Sequence, residues 1–279
     1  MKLRANTFVW AVIAVTVGIP FSTVGQAPAE LERERSDFAE WLRSSPVSPY
    51  AAVYHQLLDG ELVFGPDAPP PLNRLPEGRI EQGRLRLSME TSQGTRTVPR
   101  NRTLAVDAWS IRVSGTRRRE VVTVFGPFGD VTPPGWFPYN AGVVVDGLLE
   151  PPASRESRRM LGLDGVEIEA SLAGTFVGEV MGVPLRLVVY RMPQPGSEES
   201  DLNVFFRDET NGNGTYTAGR FLALTPLGGN GYRADFNRAR NPFCGYNSVF
   251  PCPLPWRGNG IPASIEAGEL YDSKVEVPR

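Results

Sequence analysis

Apolar residues after position 45 recur mainly with the two-residue spacing of strands, and almost nowhere with the spacing of a helix. Short runs of this kind, such as Leu85–Met89 and Glu120–Phe125, are separated by clusters of Gly, Pro, Ser and Asn. Alternation of this type buries one face of an antiparallel sheet and leaves the other face in water. The sequence therefore predicts an all-β fold, an antiparallel sandwich or one or more barrel-like domains.

A single helix is predicted before the strands begin. Leu31, Phe38 and Leu42 recur at helical spacing within residues 30–43, and the prolines at positions 46 and 49 end the pattern. Charged helices of this kind usually pack against the edge of a domain.

The strand pattern itself falls into two similar halves, separated by the rigid, aromatic segment 132–139. We therefore predict an N-terminal helix region over residues 30–49, a first β-subdomain over 50–131 and a second β-subdomain over 132–279. The second contains a loop-rich motif region, residues 202–270. Whether the halves form one domain or two is left open by the sequence.

Residues 1–29 have the features of a secretory signal peptide. Lys2 and Arg4 form a basic start, residues 8–19 are apolar, and Ala27–Ala29 supplies small residues at a cleavage position. The apolar stretch is short for a membrane span, although an uncleaved anchor is the alternative. We expect an exported protein, periplasmic or extracellular, with no membrane span after signal removal.

Charge and residue usage exclude several classes of function. Removing residues 1–29, which hold two basic residues and no acidic one, leaves 27 basic and 31 acidic residues, a net charge of −4. Nucleic acid is therefore not an expected partner, since it would require a basic face. Lys2 and Lys274 are the only lysines and His55 is the only histidine, so a lysine Schiff base and a histidine-rich metal site are disfavoured. No cofactor and no metal are expected.

The two cysteines, Cys244 and Cys252, lie in a loop rich in Pro, Gly and Asn. In an exported chain such a pair favours a disulfide bond. A zinc site would need additional thiolates or histidines, which the sequence lacks. We therefore predict a Cys244–Cys252 disulfide.

The stretch from Leu202 to Leu270 contains the densest set of Gly, Asn, Arg, Asp and aromatic residues. It begins with a Phe206-Arg-Asp-x-Thr-x-Gly-x-x-Thr-Tyr-x-x-Gly-Arg-Phe-Leu motif. A second motif, Asp235-Phe-Asn-Arg-Ala-x-Asn-Pro-x-Cys-x-Tyr, follows, and Cys252-Pro-Leu-Pro, Asn259 and Ala267-Gly-Glu complete the pattern. This set resembles domain-of-unknown-function family 1684 of bacteria and archaea. The resemblance extends from about Asp37 to Glu269 and implies no established activity.

The Gly-rich loop from Asp208 to Arg220 also partly matches the calcium loops of secreted proteins. Glu209, Asn211 and Asn213 fall at ligand positions, but Thr217 and Arg220 stand where carboxylates are needed. The alternative is a glycine-rich turn between two strands, with Asp208 and Arg220 adjacent at its base and forming a partly buried ion pair.

The sequence is compatible with two functions. The first is a small-molecule-binding or structural module, with a small anionic or sugar-like ligand as the expected partner. The second is a hydrolase-type enzyme whose carboxylates act as acid and base. The candidate catalytic residues are Asp208, Asp235 and Glu269. The candidate ligand-binding residues are Arg207, Thr210, Tyr216, Arg220, Asn237, Arg238, Asn241 and Tyr246.

The predicted export is testable on protein from the native host. Mass spectrometry of the mature chain is expected to show an N-terminus at or near Glu30, because the signal peptide is removed during export. Soluble cytoplasmic protein that retains Met1 would contradict this prediction.

Overall fold

The protein is described by a computed structural model, which covers residues 26–84, 86–195 and 200–271. The predicted signal peptide lies outside the described residues except for positions 26–29. Among the described residues, no helix is long and apolar enough to cross a membrane.

The described residues form one α-helix, α1 (Ala29–Ser44), followed by strands. In chain order the strands are β1 (Ala52–Leu57), β2 (Glu61–Phe64), β3 (Gly78–Gln82), β4 (Leu87–Thr91), β5 (Gly94–Thr97), β6 (Thr103–Val106), β7 (Trp109–Thr116), β8 (Arg119–Phe125), β9 (Val144–Glu150), β10 (Ser157–Leu161), β11 (Glu167–Val180), β12 (Val183–Pro193), β13 (Ser200–Phe206), β14 (Arg220–Ala223), β15 (Thr225–Gly228) and β16 (Gly231–Asp235). The all-β prediction and the predicted N-terminal helix are confirmed.

The strands form three antiparallel sheets. The first sheet has the order β1-β8-β7-β6, and the second has the order β2-β3-β4-β5. The third has the order β14-β13-β12-β11-β9-β16-β15, with β10 also paired to β11, and it curls into a half-barrel. The two smaller sheets are formed by residues 52–125 and the curled sheet by residues 144–235.

The first two sheets share one apolar core. Ile80 and Met89 of the second sheet pack with Ile111, Val122 and Val124 of the first, and all five side chains are buried. This face-to-face arrangement of two sheets is a sandwich, as the strand pattern predicts.

The third sheet buries one face and leaves much of the other accessible. On β12, Leu185, Leu187 and Val189 point into the core enclosed by the half-barrel. The alternate residues, Val188 and Tyr190 among them, lie on the opposite face. That opposite face forms the floor of the groove described below.

A β-bulge in β11 changes which side chains face the core. The pairing with β12 shifts register between Leu172 and Gly174, so that Leu172 lies on the open face whereas Phe176 is buried in the core. Gly174 has φ of +148°, and a Cβ atom there would lie 2.1 Å from the carbonyl oxygen of Glu150. The sequence pattern predicts two separate strands, 166–170 and 175–180. This is wrong, because the bulge lets a single strand continue through the change of face.

The sequence also predicts a turn at Ser114–Gly115, after a strand at residues 111–113, and this prediction is wrong. Strand β7 continues to Thr116, and the turn to β8 consists of residues 117 and 118. Arg118 takes the left-handed conformation with φ of 66°, so the turn forms without a glycine. Gly115 instead pairs with Glu120 within the hairpin.

Helix α1 packs where the first sheet meets the C-terminal loops. Leu42 of the helix shares a core with Phe125 of β8 and with Phe243, Tyr246 and Phe250 of the motif region. Strands β13 to β16 of the third sheet belong to the motif region, so this region connects the helix and the first sheet to the third sheet.

Candidate functional site

The Gly-rich loop joins β13 to β14 and places Asp208 beside Arg220. Phe206 and Arg220 are paired residues at the ends of these strands, so the loop closes as a hairpin. Arg220 Nη2 lies 2.5 Å from Asp208 Oδ2, and neither side chain has any solvent exposure. The predicted ion pair is present, but the prediction of partial burial is wrong. The flanking strands and the C-terminal segment cover it completely.

Arg220 also holds the C-terminal segment. Its Nη2 donates to the carbonyl oxygen of Ile265 at 3.0 Å, its Nη1 donates to the carbonyl oxygen of Ala267, and its guanidinium lies 5.2 Å from the ring centroid of Phe206. Burial lowers the pKa of Arg220, and the charge of Asp208 raises it. The guanidinium is thus a buried link between the curled sheet and residues 265–267.

Side chains within the Gly-rich loop form hydrogen bonds with one another and with the loop backbone. Asp208 Oδ1 accepts hydrogen bonds from the N–H of Thr210 at 2.8 Å and from its hydroxyl. Asn211 Oδ1 accepts from the N–H of Asp208, and Asn211 Nδ2 donates to Thr215 Oγ1 and to the carbonyl oxygen of Tyr216. This is the geometry of a polar turn. Among the described residues, no group of three His, Cys, Asp or Glu side chains is placed to hold a metal ion.

Glu269 is buried against Tyr246 and Asn241. The Tyr246 hydroxyl lies 2.6 Å from Glu269 Oε2 and 2.8 Å from Oε1, and the N–H of Asn241 donates to Oε2 at 2.8 Å. Burial raises the pKa of Glu269 to about 7, although these hydrogen bonds lower it. Burial also raises the pKa of Tyr246 well above its ordinary value.

Asp235, the third candidate carboxylate, caps a short turn. Its Oδ1 accepts from the N–H and the side-chain amide of Asn237, and its Oδ2 accepts from Arg238 Nε at 3.2 Å. Asn237 is fully buried and exchanges hydrogen bonds with both backbone polar groups of Asn140, at 2.9 Å each. Arg238 forms a further ion pair with Glu34 of α1.

The remaining candidates lie at the edge of this region. Arg207 is exposed, and its backbone groups bond to Asn259 and Ile261. The hydroxyl of Tyr216 lies 3.1 Å from Cys252 Sγ. The sulfur atoms of Cys244 and Cys252 lie at bonding contact and their Cα atoms are 5.5 Å apart, a separation that suits a disulfide bond.

His55, the single histidine, is buried in strand β1. Its Nδ1 lies 2.9 Å from Thr123 Oγ1, and its ring packs 4.9 Å from the ring of Phe250. Burial lowers the pKa of His55 to about 4. The ring is therefore neutral at physiological pH and packs between the first sheet and the motif region.

The motif residues thus meet in one region of the described structure. Each candidate carboxylate already accepts hydrogen bonds from neighbouring protein groups. The fold brings Asp208, Thr210 and Arg220 together, and separately Asn241, Tyr246 and Glu269.

An open groove of about 670 Å³ lies elsewhere, on the exposed face of the third sheet. Its lining comes from β10, β11 and β12, from the 150–156 segment after β9, and from Trp256 and Arg257. The apolar lining consists of Met160, Leu172, Val188, Tyr190 and Trp256 together with Pro151, Pro152 and Ala153. None of the sequence-predicted site residues is part of this lining.

Trp256 forms an aromatic wall of the groove. Its indole packs edge-on against Tyr190, with ring centroids 4.9 Å apart, and also lies near Phe205 and Phe221. The side chain is half-buried, so part of the ring faces the groove. Because three other rings fix its orientation, Trp256 is a rigid surface against which a ligand can stack.

Asn259 holds this wall in place. Its Nδ2 donates to the carbonyl oxygens of Val188 at 3.0 Å and Phe205 at 3.1 Å, and its Oδ1 accepts from the N–H of Val188 at 2.7 Å. Its own N–H donates to the carbonyl oxygen of Trp256. Direct pairing between β12 and β13 begins only at Tyr190 and Asn203, so Asn259 bridges the strands where they separate.

Three arginines and two glutamates give the groove its charge. Arg186 pairs with Glu150 at 2.7 Å, and Arg158 pairs with Glu156 at 3.2 Å. Arg257 forms no ion pair with a described carboxylate, is exposed, and follows Trp256 directly in the chain and in the groove lining. The groove therefore combines an apolar floor with one uncompensated positive charge.

The groove residues were not among the site residues predicted from the sequence. Asn259 belongs to the motif that resembles family 1684, and Trp256 follows the Cys-Pro-Leu-Pro sequence beside it. The signal that could have identified them is this exposed proline-rich turn with a tryptophan. The rest of the lining comes from strands whose open face cannot be assigned without the bulge in β11.

The raised pKa of Glu269 predicts a pH dependence of stability. The folded protein retains a proton on Glu269 up to about pH 7, whereas an unfolded glutamate releases it near pH 4.5. The contribution of Glu269 to the free energy of unfolding is therefore highest below about pH 4.5. It falls by up to roughly 3 kcal/mol as the pH rises to about 7. Urea unfolding at pH 4.5 and 7.5 is expected to show this loss in the wild type and its absence in Glu269→Gln.

The exposed neighbour Glu266 provides the matched control, because Glu266→Gln makes the same chemical change outside the buried cluster. The control is expected to retain the wild-type pH dependence. Equal pH dependence in wild type and Glu269→Gln would contradict the prediction.

Comparison with known proteins gives a family but no activity. The solution NMR structure of an uncharacterized protein of Haloarcula marismortui aligns over 50% of this chain and 77% of its own, with 28% sequence identity and a TM-score of 0.44. No curated protein matches the chain. The model of the family described as "Protein of unknown function (DUF1684)" matches residues 134–270, which include the Phe206–Glu269 motif, whereas the resemblance near Asp37 lies outside the match. The predicted membership is therefore confirmed, and residues 134–270 of this chain belong to the DUF1684 family.

Proposed function

We propose that the chain is an exported ligand-binding protein whose site is the groove on the open face of the third sheet. The ligand is a small organic anion with an apolar body. The observation that carries this proposal is the combination, in one concave surface of about 670 Å³, of a rigid tryptophan wall with an arginine that has no described acidic partner. Concave, mainly apolar surfaces with a few convergent polar groups are the usual form of small-molecule sites.

The apolar half of the groove suits a ring or a short hydrocarbon chain. Trp256 and Tyr190 meet edge to face, and Val188, Leu172 and Met160 extend the apolar surface along the strands. Tyr190 is buried, but the other four side chains are partly exposed, and covering them would remove apolar area from water, which favours binding. The edge contact with Tyr190 leaves part of the Trp256 indole available for a ligand.

The charged half of the groove suits a single carboxylate or phosphate. Arg186 and Arg158 are compensated by glutamates at 2.7 Å and 3.2 Å. Arg257 is exposed and directly follows Trp256 in the chain, and its planar guanidinium is able to form two parallel hydrogen bonds to an anionic group. An anionic group at Arg257 would place the apolar body of the ligand against Trp256.

The geometry gives less support to the hydrolase alternative. A catalytic acid or base needs access to its substrate, yet Asp208 and Glu269 are buried, and Asp235 is occupied by Asn237 and Arg238. The groove carboxylates, Glu150 and Glu156, are both paired with arginines. We therefore propose binding in preference to hydrolysis.

The proposal is tested by titrating the protein with decanoate, phenylacetate and neutral maltotriose while tryptophan fluorescence is recorded. At least one of the two carboxylates is expected to change the fluorescence saturably, and Trp256→Phe is expected to abolish this change. Arg257→Ala is expected to weaken binding by roughly tenfold, which corresponds to the loss of one charge-assisted hydrogen bond.

Arg191→Ala is the matched control. Arg191 is an exposed arginine on β12, the same strand as Arg186, but it does not line the groove. The affinity of the Arg191→Ala variant for the carboxylate is expected to stay within about twofold of the wild type. A response to maltotriose alone, or equal losses in Arg257→Ala and Arg191→Ala, would contradict an anion site at Arg257.

A further inference from the structure

A second cavity, of about 240 Å³, lies between two hairpin tips. One tip includes Gly83, Arg84 and Arg86, which lie between β3 and β4, and the other is the turn at residues 117–118 between β7 and β8. The tips belong to different sheets of the sandwich. Arg117 Nη2 donates to the carbonyl oxygen of Arg84 at 2.7 Å and ties the two tips together.

The floor of this cavity contains a fully compensated carboxylate. Glu120 is buried, and its Oε1 accepts hydrogen bonds from Nε and Nη2 of Arg100, while Gln82 Nε2 donates to Oε2 at 2.5 Å. Burial raises the pKa of Glu120, but the hydrogen bonds from Arg100 and Gln82 outweigh it, so that the pKa is lowered overall. Both oxygens of Glu120 are thus occupied, and its charge is balanced by Arg100.

Four further arginines surround the opening. Arg84 and Arg86 come from the first tip, and Arg117 and Arg118 come from the second. All four are exposed, and none forms an ion pair with a described carboxylate. The cavity therefore has a local charge of about +4 beyond the balanced Arg100–Glu120 pair, although the whole chain has a net charge of −2.

Such an arrangement is unfavourable without an anion. Like charges that converge on one cavity repel each other, and this repulsion destabilises the protein unless a counter-charge is present. Arginine guanidinium groups are planar forks whose geometry matches the oxygens of phosphate and sulfate. An oxyanion entering from the open side would meet several guanidinium groups above a polar floor.

We propose that this cavity is a binding site for a compact, multiply charged oxyanion, namely a phosphate or sulfate group bearing two or more negative charges. The site is separate from the groove on the third sheet and does not depend on the function proposed for it. The oxyanion is either a free polyphosphate or the phosphate headgroup of a lipid, since both present the same chemistry to the arginines.

The first test is calorimetric titration with sodium triphosphate at low ionic strength. The wild type is expected to bind triphosphate, with an affinity that decreases as salt is added. Arg117→Glu/Arg118→Glu is expected to weaken binding at least tenfold, because it removes two of the four cations and adds two repulsive charges. Arg33→Glu/Arg191→Glu makes the same change in net charge at exposed positions outside the cavity, and its affinity is expected to stay within about twofold of the wild type.

A second variant of the same cavity is designed to lose binding without misfolding. Arg118 lies in the left-handed conformation, which asparagine tolerates, so Arg117→Gln/Arg118→Asn neutralises the turn without opposing its backbone. Its melting temperature without ligand is expected to be no lower than that of the wild type, because two repelling charges are removed, and its binding is expected to be weakened at least fivefold.

Flotation with vesicles identifies the source of the oxyanion. Binding to vesicles that contain phosphatidic acid, whose phosphomonoester carries up to two negative charges, but not to phosphatidylcholine vesicles, lost in the same site variants, would assign the site to a lipid headgroup. Binding of triphosphate alone would assign it to a free anion. No binding to either probe, or equal weakening in the site variants and the control, would overturn the proposal.

Discussion

The buried ion pair between Asp208 and Arg220 determines how the C-terminal half is assembled. A guanidinium removed from water is costly unless its charge and its hydrogen-bond donors are satisfied. Arg220 meets this requirement through Asp208 and through the carbonyl oxygens of Ile265 and Ala267. The Gly-rich loop and the C-terminal segment must therefore both be in place before the pair is stable. The polar residues around Arg220 therefore join the Gly-rich loop to the C-terminal segment 265–267, although these two segments are not paired as strands.

Other motif residues join other segments in the same way. Asn237 bonds to both backbone groups of Asn140, and Asn247 Nδ2 donates to the carbonyl oxygens of Pro49 and Ala52. In a region with few strands, side-chain amides supply the hydrogen bonds that a sheet would supply elsewhere. Asn259 makes the same kind of link and thereby orients the tryptophan wall of the groove. The motif thus supports the proposed binding surface, although most of its members lie beneath the protein surface.

Local patterns in the sequence predicted the elements whose geometry is local. The hairpin from β13 to β14 and its Asp208–Arg220 pair follow from aromatic strands on either side of a Gly-rich loop. The end of β7 was placed too early, at Ser114–Gly115, because glycine usually signals a turn, whereas the residue that takes the left-handed backbone in the actual turn is Arg118. The groove could not be predicted, because it depends on the β11 bulge at Gly174 and on the return of residues 256–257 across the sheet. Complete burial of Arg220 was also unpredictable, since the segment that covers it is distant in sequence.

The central claim, that Asp208 and Arg220 act as one structural unit, is tested most directly by a double-mutant cycle. Free energies of unfolding would be measured for Asp208→Asn, Arg220→Met and the double variant. Each single substitution leaves a buried polar or charged group without its partner and is expected to cost about 3–5 kcal/mol. The double substitution is expected to cost no more than about the larger single value, which gives a large coupling energy. Additive losses, or single substitutions that leave stability unchanged, would contradict the account.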